Sequence, residues 1–356
     1  MQRSKNIILK ETEGEERKSG PLFAPRILTG DRPTGKLHLG HLAGTLEERV
    51  RLQDQYDTLI LIADLQVLTD HLPNFREIEA NAREVMLDYL GAGLKPEKTF
   101  FIQSQIPELM QLSYLFNFLV TVARAQRNPT LKAEIGMYGV SEMSLGMLTY
   151  PVSQAADILL FKATLVPVGE DQLPHIEQTR EIARAFNRIF RPIFPIPEGL
   201  VGPCRTLVGI DGKQKMSKSL GNAIYLSDSP EEVTRKIMKM YTDPARVRAD
   251  IPGDPDKNPV FTYHRLFNAD IDEVRNLEEM YRQGAIGDKV VKERLAIAIN
   301  KMLDPIRERR KYYEDRPEKV SEILARGRDC ARQIGRTTME EVADAMRLSY
   351  RSLMPR

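Results

Sequence analysis

Two short stretches of the chain hold side chains whose types and spacing suit the binding of phosphate. In the first, His38 and His41 flank Gly40 just ahead of a segment whose apolar residues have helical spacing. A glycine there lets a ligand approach the backbone, and a helix start offers N–H groups and a positive dipole end to an anion. In the second, Lys215–Ser219, two lysines and two serines lie on a glycine-flanked loop. Ammonium and hydroxyl groups of this kind hold a polyphosphate.

Together the two stretches predict a nucleotide site with a definite chemistry. The histidines would hold the α- and β-phosphates of ATP, and Lys215 and Lys218 would stabilise a departing pyrophosphate. A carboxylate nucleophile is already ionised at neutral pH and needs no general base. The protein would therefore position the reactants in line and neutralise the charge that grows in the transition state. Each stretch alone also fits a solvated loop, so the prediction depends on the pair.

The elements around these stretches predict an α/β fold with a doubly wound, Rossmann-like parallel sheet. Ligands bind outside the carboxyl ends of the strands in such sheets, where Gly30 and Gly169 are expected. The prediction rests on apolar strand-like runs that alternate with helical patterns. The runs are 25–30, 58–63, 99–103 and 164–168, and the helical patterns are 74–90, 108–127, 152–161 and 171–187.

The second half of the chain is predicted to be all-helical. Proline and glycine are frequent between residues 190 and 212, which indicates a domain boundary. Capping boxes at 229–232 and 338–341 predict two helix starts. The expected organisation is a mobile N-terminal extension (1–23), a catalytic domain (24–212), a lysine loop (213–222) and a helical domain (223–356) whose last helices are free to pack back on the catalytic domain.

The composition excludes several classes of protein. The 356 residues are 42% hydrophobic and 29% charged, as in a globular protein of two domains. No apolar run approaches the roughly 18 residues of a membrane span, and the N-terminus lacks the apolar centre of a secretory signal. Cys204 and Cys330 have no Cys or His neighbour at metal-ligand spacing, which excludes a structural zinc and favours the cytoplasm. The net charge of +2 does not by itself indicate a nucleic-acid-binding protein, although a whole-chain average can hide a local basic patch.

The two stretches resemble the signature motifs of class I aminoacyl-tRNA synthetases. His38-Leu-Gly-His41 resembles the HIGH motif, and Lys215-Met-Ser-Lys-Ser219 is identical to the KMSKS motif. Within the class, the chain is similar to tryptophanyl-tRNA synthetases of the bacterial type from about Leu28 to its C terminus. The stretches that carry this similarity are 148–151, 154–160, 166–172 and 175–180.

The resemblance implies an ATP-dependent ligase that makes tryptophanyl-adenylate and then tryptophanyl-tRNA. Its partners would be L-tryptophan, ATP and tRNA(Trp), without DNA or a membrane. Mg²⁺ would be held mainly by phosphates and water, as is usual for that ion, with no metal site made by the protein. The protein would be a homodimer.

The resemblance also implies roles for individual residues. Asp157 matches the aspartate that accepts the indole N–H of tryptophan, a reasonable partner because indole has one donor and no acceptor. Tyr150 and Gln172 match positions that hold the ammonium group of the amino acid. The residues expected to be catalytic are His38, His41, Lys215 and Lys218, and those expected to contact ATP are Arg32, Pro33, Thr34, Gly40, His41, Gly169, Glu170, Asp171, Lys215, Met216, Ser217, Lys218 and Ser219.

Three positions around the amino-acid pocket depart from the family pattern. Relatives commonly carry a glutamine where this chain has Arg32, a histidine where it has Gln66 and a methionine where it has Gln154. We expect these changes to affect the affinity for tryptophan and the tolerance of its analogues, while the reaction class stays the same. Lys132 matches, in a loose local alignment, a lysine that reaches the phosphates of ATP.

Two alternatives to this assignment remain open. A tyrosyl-tRNA synthetase shares the fold and both motifs, but its pocket must bond a phenol hydroxyl, whereas Asp157 suits indole. A synthetase-like paralogue that acts as a binding or regulatory protein is the second alternative. In the helical half, Arg235, Lys236, Lys239 and the cluster 307–311 are predicted to contact tRNA near its anticodon, although a solvated helical face has the same pattern.

Overall fold

The computed structural model describes residues 23–69, 72–138, 143–202, 207–244, 246–350 and 353. Residues 1–22 of the predicted extension and Cys204 lie outside the described residues. The sheet consists of β1 (Arg26–Asp31), β2 (Asp57–Ile62), β3 (Thr99–Ile102), β4 (Leu165–Val168) and β5 (Glu198–Val201). These strands lie in the order β3-β2-β1-β4-β5, and every neighbouring pair is parallel. The first strand therefore lies in the middle of the sheet, with β2 and β3 on one side of it and β4 and β5 on the other.

Fourteen α-helices surround the sheet within the described residues. A π-helical turn, Leu42–Leu46, joins the first two, and 3₁₀ turns lie at Leu72–Glu77, Gln103–Gln105, Asn117–Leu119 and Glu170–Gln172. The helices are α1 (Leu39–His41), α2 (Glu47–Leu52), α3 (Asp64–Val67), α4 (Ile78–Ala92), α5 (Pro107–Phe116), α6 (Val122–Ala125), α7 (Pro129–Tyr138), α8 (Leu145–Leu160), α9 (Leu173–Ile189), α10 (Pro230–Met238), α11 (Pro259–Phe267), α12 (Ile271–Gln283), α13 (Asp288–Glu314) and α14 (Pro317–Ala345).

The apolar run in β2 explains why the sheet is covered on both faces. Side chains alternate between the two faces of a strand. Ile60 and Ile62 pack into one hydrophobic core, with α4 and the helices α10 to α13, whereas Leu59 and Leu61 pack into a second core with α5, α8 and α9. A strand buried on both faces reads as a continuous apolar run, which is what the sequence has. The predicted doubly wound α/β fold is confirmed.

Several predicted elements differ from the structure. The proline-rich segment after residue 190 contains β5, an edge strand that the sequence analysis did not predict. The helix predicted over 108–127 is interrupted at Val120, which has extended dihedral angles. The helix start predicted at Ser229 is confirmed, because Ser229 is the N-cap of α10 and its Oγ accepts a hydrogen bond from the N–H of Glu232 at 3.2 Å. The second box is wrong, because Thr338 is buried within α14, which begins at Pro317.

The last two helices, α13 and α14, pack against elements from the first half of the chain. α13 lies against α4, and α14 lies against β3. The approach of α14 requires a glycine, because a Cβ at Gly327 would lie 1.8 Å from the carbonyl oxygen of Phe100. The side chain of Lys162 donates to Glu341 at 2.7 Å on the same helix. Within the described residues, no helix combines the length and the apolar character that crossing a bilayer requires.

Candidate active site

A cleft of about 860 Å³ opens at the carboxyl ends of β1 and β4. The connections from these neighbouring strands run in opposite directions, and doubly wound sheets bind ligands at such a point. The cleft is lined by residues from both phosphate-binding stretches and from the predicted amino-acid pocket. Of the residues that the sequence analysis assigned to the site, only Pro33 and Glu170 do not line it. Lys132 is exposed on α7 and does not line it either.

The histidine loop, which runs from Arg32 to His41, leads from β1 into α1. His38 is the N-cap of α1, and its Nδ1 accepts a hydrogen bond from the N–H of Gly40 at 3.1 Å. The Nδ1 of His41 accepts in turn from the N–H of His38 at 3.2 Å. Both rings therefore carry their proton on Nε2, which is left to donate to a ligand. A Cβ at Gly40 would lie 2.9 Å from the His38 ring, so only glycine fits there.

Both histidines are neutral in this structure. Burial lowers the pKa of His38 to about 2, and His41 and Lys218 add to the effect. Burial also lowers the pKa of His41 to about 4, although the nearby Asp31 carboxylate opposes the change. The two rings lie with their centroids 3.9 Å apart, a distance at which two imidazolium ions would repel each other. The loop thus offers N–H donors to a phosphate, and the positive charge must come from elsewhere in the cleft.

The lysine loop, residues 213–222, supplies that positive charge and is held in place by hydrogen bonds of Met216 and Asn222. The N–H of Met216 donates to Leu207 O at 2.8 Å, and the Met216 side chain is buried. The Oδ1 of Asn222 accepts from the N–H of Ser217 at 2.8 Å, while its Nδ2 donates to Asp211 at 3.1 Å. These bonds close the loop on itself, so that Lys215 and Lys218 are carried on a short fixed turn.

The two loops meet in the cleft. The Nζ of Lys218 donates to Gly35 O at 2.8 Å and to Thr34 Oγ1 at 3.2 Å. Gly35 has a φ of +118°, a conformation that favours glycine, and this conformation belongs to the turn that presents the carbonyl to the lysine. Burial lowers the pKa of Lys218 to about 8, against the attraction of Asp31 and Asp88.

The chain after the lysine loop also pairs with the histidine loop. The N–H of Leu39 donates to Ile224 O at 2.9 Å, and the N–H of Leu226 donates to Leu37 O at 3.0 Å. The juxtaposition predicted from the sequence is therefore present, since residues almost two hundred positions apart line one cleft.

A buried ion pair between Asp31 and Arg49 lies directly before the start of the histidine loop. The guanidinium of Arg49 donates to Asp31 at 2.6 Å, and the hydroxyl of Tyr89 donates to the same carboxylate at 2.8 Å. Burial opposes ionisation of Asp31, but Arg49 outweighs it and holds the pKa of that carboxyl well below its usual range. A charged residue in this helical segment is expected on its solvated face, but the side chain of Arg49 is only 3% exposed. The position of Asp31 at the carboxyl end of β1, where ligands bind, is a signal that could have indicated this pair.

The other end of the cleft is built around Asp157. This side chain on α8 is 2% exposed and accepts hydrogen bonds from Gln66 Nε2 at 2.7 Å and from Gln103 Nε2 at 2.8 Å. Burial raises the pKa of Asp157 to about 7, although both amides stabilise its ionised form. Gln103 was not predicted as a site residue, although it directly follows β3 at the carboxyl end where ligands bind.

Tyr150 on α8 is oriented by a buried histidine of α9 and a buried asparagine of the turn between α6 and α7. His175 Nε2 lies 3.3 Å from the Tyr150 hydroxyl, and His175 Nδ1 lies 3.3 Å from the amide nitrogen of Asn128. Burial lowers the pKa of His175 to about 4, so its ring is neutral. With Nδ1 accepting from Asn128, Nε2 donates to the Tyr150 oxygen. Gln154 and Gln172 line the same part of the cleft.

Most of the basic side chains predicted to contact tRNA have partners within the protein. The buried Arg310 cannot reach tRNA, whereas the exposed ion pairs are weak enough to be exchanged for a phosphate. The contacts are Arg235 to Glu232, Lys236 to Asp228, Arg307 to Asp228 O and Asp304, Arg309 to Gly91 O, Arg310 to Asp88 and Glu84, and Lys311 to Asp315.

Comparison with known proteins assigns the chain to a family. Residues 23–304 match the family model of class I tRNA synthetases for tryptophan and tyrosine. A tryptophan–tRNA ligase of Treponema pallidum is 50% identical over 92% of this chain and 98% of its own length. One of Borreliella burgdorferi is 47% identical over 91% and 93%.

A solved structure agrees with these relatives. The crystal structure of tryptophanyl-tRNA synthetase from Campylobacter jejuni complexed with ADP and tryptophan superposes with a TM-score of 0.81 at 30% identity, covering 91% of this chain and 100% of that one. The resemblance stated from the two motifs is confirmed, and the tyrosine-specific alternative finds no support among these relatives. The chain belongs to the class I aminoacyl-tRNA synthetases and, among them, to the tryptophan–tRNA ligases of the bacterial type.

Proposed function

We propose that this chain activates L-tryptophan with ATP in the cleft described above and then transfers the amino acid to tRNA(Trp). The observation that carries the proposal is the contact of Lys218 with the histidine loop, in a cleft whose other end holds a buried carboxylate. A phosphate chain and an indole ring need opposite partners, and this cleft offers both within one cavity.

At the phosphate end, the Nε2–H groups of His38 and His41 donate to oxygens of the α- and β-phosphates. Lys215 and Lys218 bind the oxygens that become pyrophosphate, and Lys218 exchanges its bonds to Gly35 O and Thr34 Oγ1 for bonds to the ligand. The remaining residues of this end bind the phosphates, ribose and base, and they are Arg32, Thr34, Gly40, Gly169, Asp171, Met216, Ser217 and Ser219. Pro33 and Glu170 stay predictions for the same role.

At the amino-acid end, Asp157 accepts the indole N–H in its ionised form. Gln66 and Gln103 hold the carboxylate in place, since each donates an N–H to it. Tyr150 and Gln172 bind the ammonium group of tryptophan. Gln154 lies beside Asp157 in the cleft lining and adds a polar contact to the ring.

The reaction proceeds in two transfers. An oxygen of the tryptophan carboxylate attacks the α-phosphorus, and the bond from that phosphorus to the bridging oxygen breaks, so that pyrophosphate leaves with the electron pair. A hydroxyl of the terminal ribose of tRNA then attacks the carbonyl carbon of the adenylate, forming an ester and releasing AMP with the hydroxyl proton. Neither transfer needs a carboxylate pair or a serine nucleophile, because the protein supplies position and charge.

Mg²⁺ fits this cleft as an ion held by the phosphates. Among the described residues, no group of three or more His, Cys, Asp or Glu side chains is placed to hold a metal. The donors at the phosphate end are N–H and ammonium groups, which bind oxygen anions and repel a cation. When bound, Mg²⁺ supplies further neutralisation of the charge on pyrophosphate.

The homodimer is likewise part of the proposal. Exposed apolar side chains follow one another along α5 and the turn after it, where Tyr114 is 65% and Phe118 is 71% exposed. Large apolar patches on a soluble protein mark sites of association. Sedimentation equilibrium of the full chain measures this directly, with a mass twice that of the chain expected and a mass equal to it contradicting the homodimer.

The experiment that tests the activity is ATP–pyrophosphate exchange with tryptophan and, in parallel, with tyrosine. We expect exchange that depends on tryptophan and a rate with tyrosine lower by orders of magnitude, because a site built to bond one polar group rejects a ligand that lacks it. Charging of transcribed tRNA(Trp) follows. Tryptophan binding without exchange or charging would favour a binding paralogue, and faster exchange with tyrosine would overturn the choice of amino acid.

A further inference from the structure

A buried carboxylate lies under the histidine loop and belongs to no motif. Asp88 on α4 is fully buried, and its Oδ2 accepts a hydrogen bond from the N–H of Leu37 at 2.7 Å. Leu37 immediately precedes His38, the N-cap residue of α1. Asp88 therefore holds the backbone of the histidine loop one residue before its first imidazole.

The helical half of the chain holds this carboxylate in turn. Arg310 on α13 donates to Asp88 Oδ1 at 2.5 Å and to Glu84 Oε2 at 2.5 Å, and it is 5% exposed. Gly91 permits the approach of α13 to α4, because a Cβ there would lie 3.0 Å from the Cβ of Arg310. A buried carboxylate without its partner is strongly destabilised in its charged form, so Asp88 depends on Arg310 to stay ionised.

Both backbone groups of Leu37, the N–H and the carbonyl, make hydrogen bonds. Its N–H donates to Asp88, and its carbonyl accepts from the N–H of Leu226 at 3.0 Å, in the segment that follows the lysine loop. Asp88 also acts electrostatically on Lys218, whose positive charge it favours. The Asp88 carboxylate thus accepts a hydrogen bond from the histidine loop and interacts electrostatically with Lys218 of the lysine loop.

We propose that Asp88 is a positioning residue for the ATP phosphates and that Arg310 fixes the position of the Asp88 carboxylate. The packing of α13 against α4 would then determine where the histidine loop lies relative to the phosphates. The proposal rests on the proposed function, since it assumes that the loop binds ATP. Neither residue lines the cleft, so neither touches a ligand. A shift of a few tenths of an ångström in Leu37 is passed directly to His38.

The test uses Arg310→Met and Asp88→Asn in tryptophan-dependent ATP–pyrophosphate exchange. Methionine keeps much of the arginine volume but leaves Asp88 unpaired. Asparagine keeps the shape of Asp88 but cannot accept from both Leu37 and Arg310, because one of its two positions is a donor. For each variant we expect kcat/KM for ATP to fall about tenfold, the equivalent of one lost positioned hydrogen bond. The KM for tryptophan stays within about twofold, because Asp157 lies at the other end of the cleft and is held by separate elements.

The matched control is Arg309→Met. Arg309 is the neighbour of Arg310 on α13 and also bridges to α4, since its Nε donates to Gly91 O at 2.7 Å. It makes no contact with Asp88, so we expect ATP kinetics like those of the unchanged protein. Arg310→Lys, which restores a positive charge opposite Asp88, should recover part of the loss.

The outcomes separate this inference from the proposed function. If the unchanged protein shows no tryptophan-dependent exchange, the proposed function fails. If it does and both variants keep normal ATP kinetics, or lose tryptophan and ATP affinity in equal measure, the positioning role is wrong. Circular dichroism and equilibrium dialysis of tryptophan verify folding, and the near-isosteric Asp88→Asn decides the matter if Arg310→Met does not fold.

Discussion

The two ends of the cleft carry ionisable groups of opposite type and are built in different ways. At the phosphate end, burial lowers the pKa values of His38 and Lys218, and at the indole end burial raises the pKa of Asp157. One cause, the loss of solvent around an ionisable group, favours the neutral form at both ends. The His38 and Lys218 side chains remain donors in either form, whereas Asp157 needs its ionised form to be a strong acceptor.

The ends also differ in how far they are formed without ligand. Asp157 is held by Gln66 and Gln103, whose hydrogen bonds a bound indole does not have to break. Lys218 is held by the backbone of the histidine loop, and those bonds must be exchanged when phosphate binds. On the proposed function, we therefore expect the amino-acid end to be preformed and the binding of the phosphates to require rearrangement.

Removal of the lysine that joins the loops gives the largest expected effect. Lys218→Ala should lower kcat of pyrophosphate exchange by about 100- to 1,000-fold, because a donor aimed at developing charge is lost. The KM for tryptophan should not change, since the effect belongs to the phosphate end. Lys213→Ala, on the same loop but outside the cleft lining, is the control. A similar loss in both variants would mean that the loop acts only through its net charge.

Neutralising the indole end gives the next largest effect. Asp157→Asn should raise the KM for tryptophan by about 100-fold, the upper range for a hydrogen bond to a charged group. The KM for ATP should hold. Asp57→Asn is the control, because Asp57 is an exposed carboxylate at the start of β2 that pairs with Arg26 at 2.7 Å and does not line the cleft. An equal rise in the KM for ATP would show that the two ends are not independent.

Loosening Asp157 without removing it gives a smaller effect. Gln103→Leu takes away the amide that donates to both carboxylate oxygens, and the KM for tryptophan should rise about tenfold. Gln105→Leu alters an exposed residue on the same 3₁₀ turn and should leave the KM unchanged. Normal tryptophan kinetics in Gln103→Leu would show that Gln66 alone fixes the carboxylate.

A change of pH gives the smallest effect and separates the ends by the size of their response. Between pH 7.5 and 6.5 the ionised fraction of Asp157, with a pKa of about 7, falls, and the KM for tryptophan should rise about threefold. His38 and His41 stay neutral over this range and Lys218 becomes more fully protonated. Asp88, whose pKa burial raises to about 6, loses a small part of its charge. The KM for ATP at saturating magnesium should therefore change less than the KM for tryptophan. In Asp157→Asn the response of tryptophan binding should vanish. A parallel rise in both constants would contradict the assignment of the pKa values.

The sequence predicted the parts of this molecule that local patterns encode. The alternating strands and helices, the HIGH-like and KMSKS stretches and the Ser229 cap each depend on neighbours in the chain. β5 was missed because four residues among prolines and glycines carry no periodic signal. Thr338 misled because a capping pattern also arises by chance inside a long helix.

The residues that set the details of the site depend on distant partners. Gln103 and Asp157 are 54 residues apart, and Asp88 and Arg310 are 222 residues apart. No spacing rule connects such positions, and a lone charged residue reads as solvated surface. Arg49 shows this clearly, because its helical pattern predicts exposure and only the fold reveals the carboxylate that it meets.

Helix α14 gives the amino-acid end a foundation in the last part of the chain. Its Gly327 lies directly against the backbone of Phe100 in β3, and Gln103 follows that strand by a single step. A protein shortened before Pro317 would leave the rear of β3 bare, and the turn that steadies Asp157 would lose its backing. On the proposed function, selection of the indole ring therefore depends in part on a C-terminal helix that does not line the cleft.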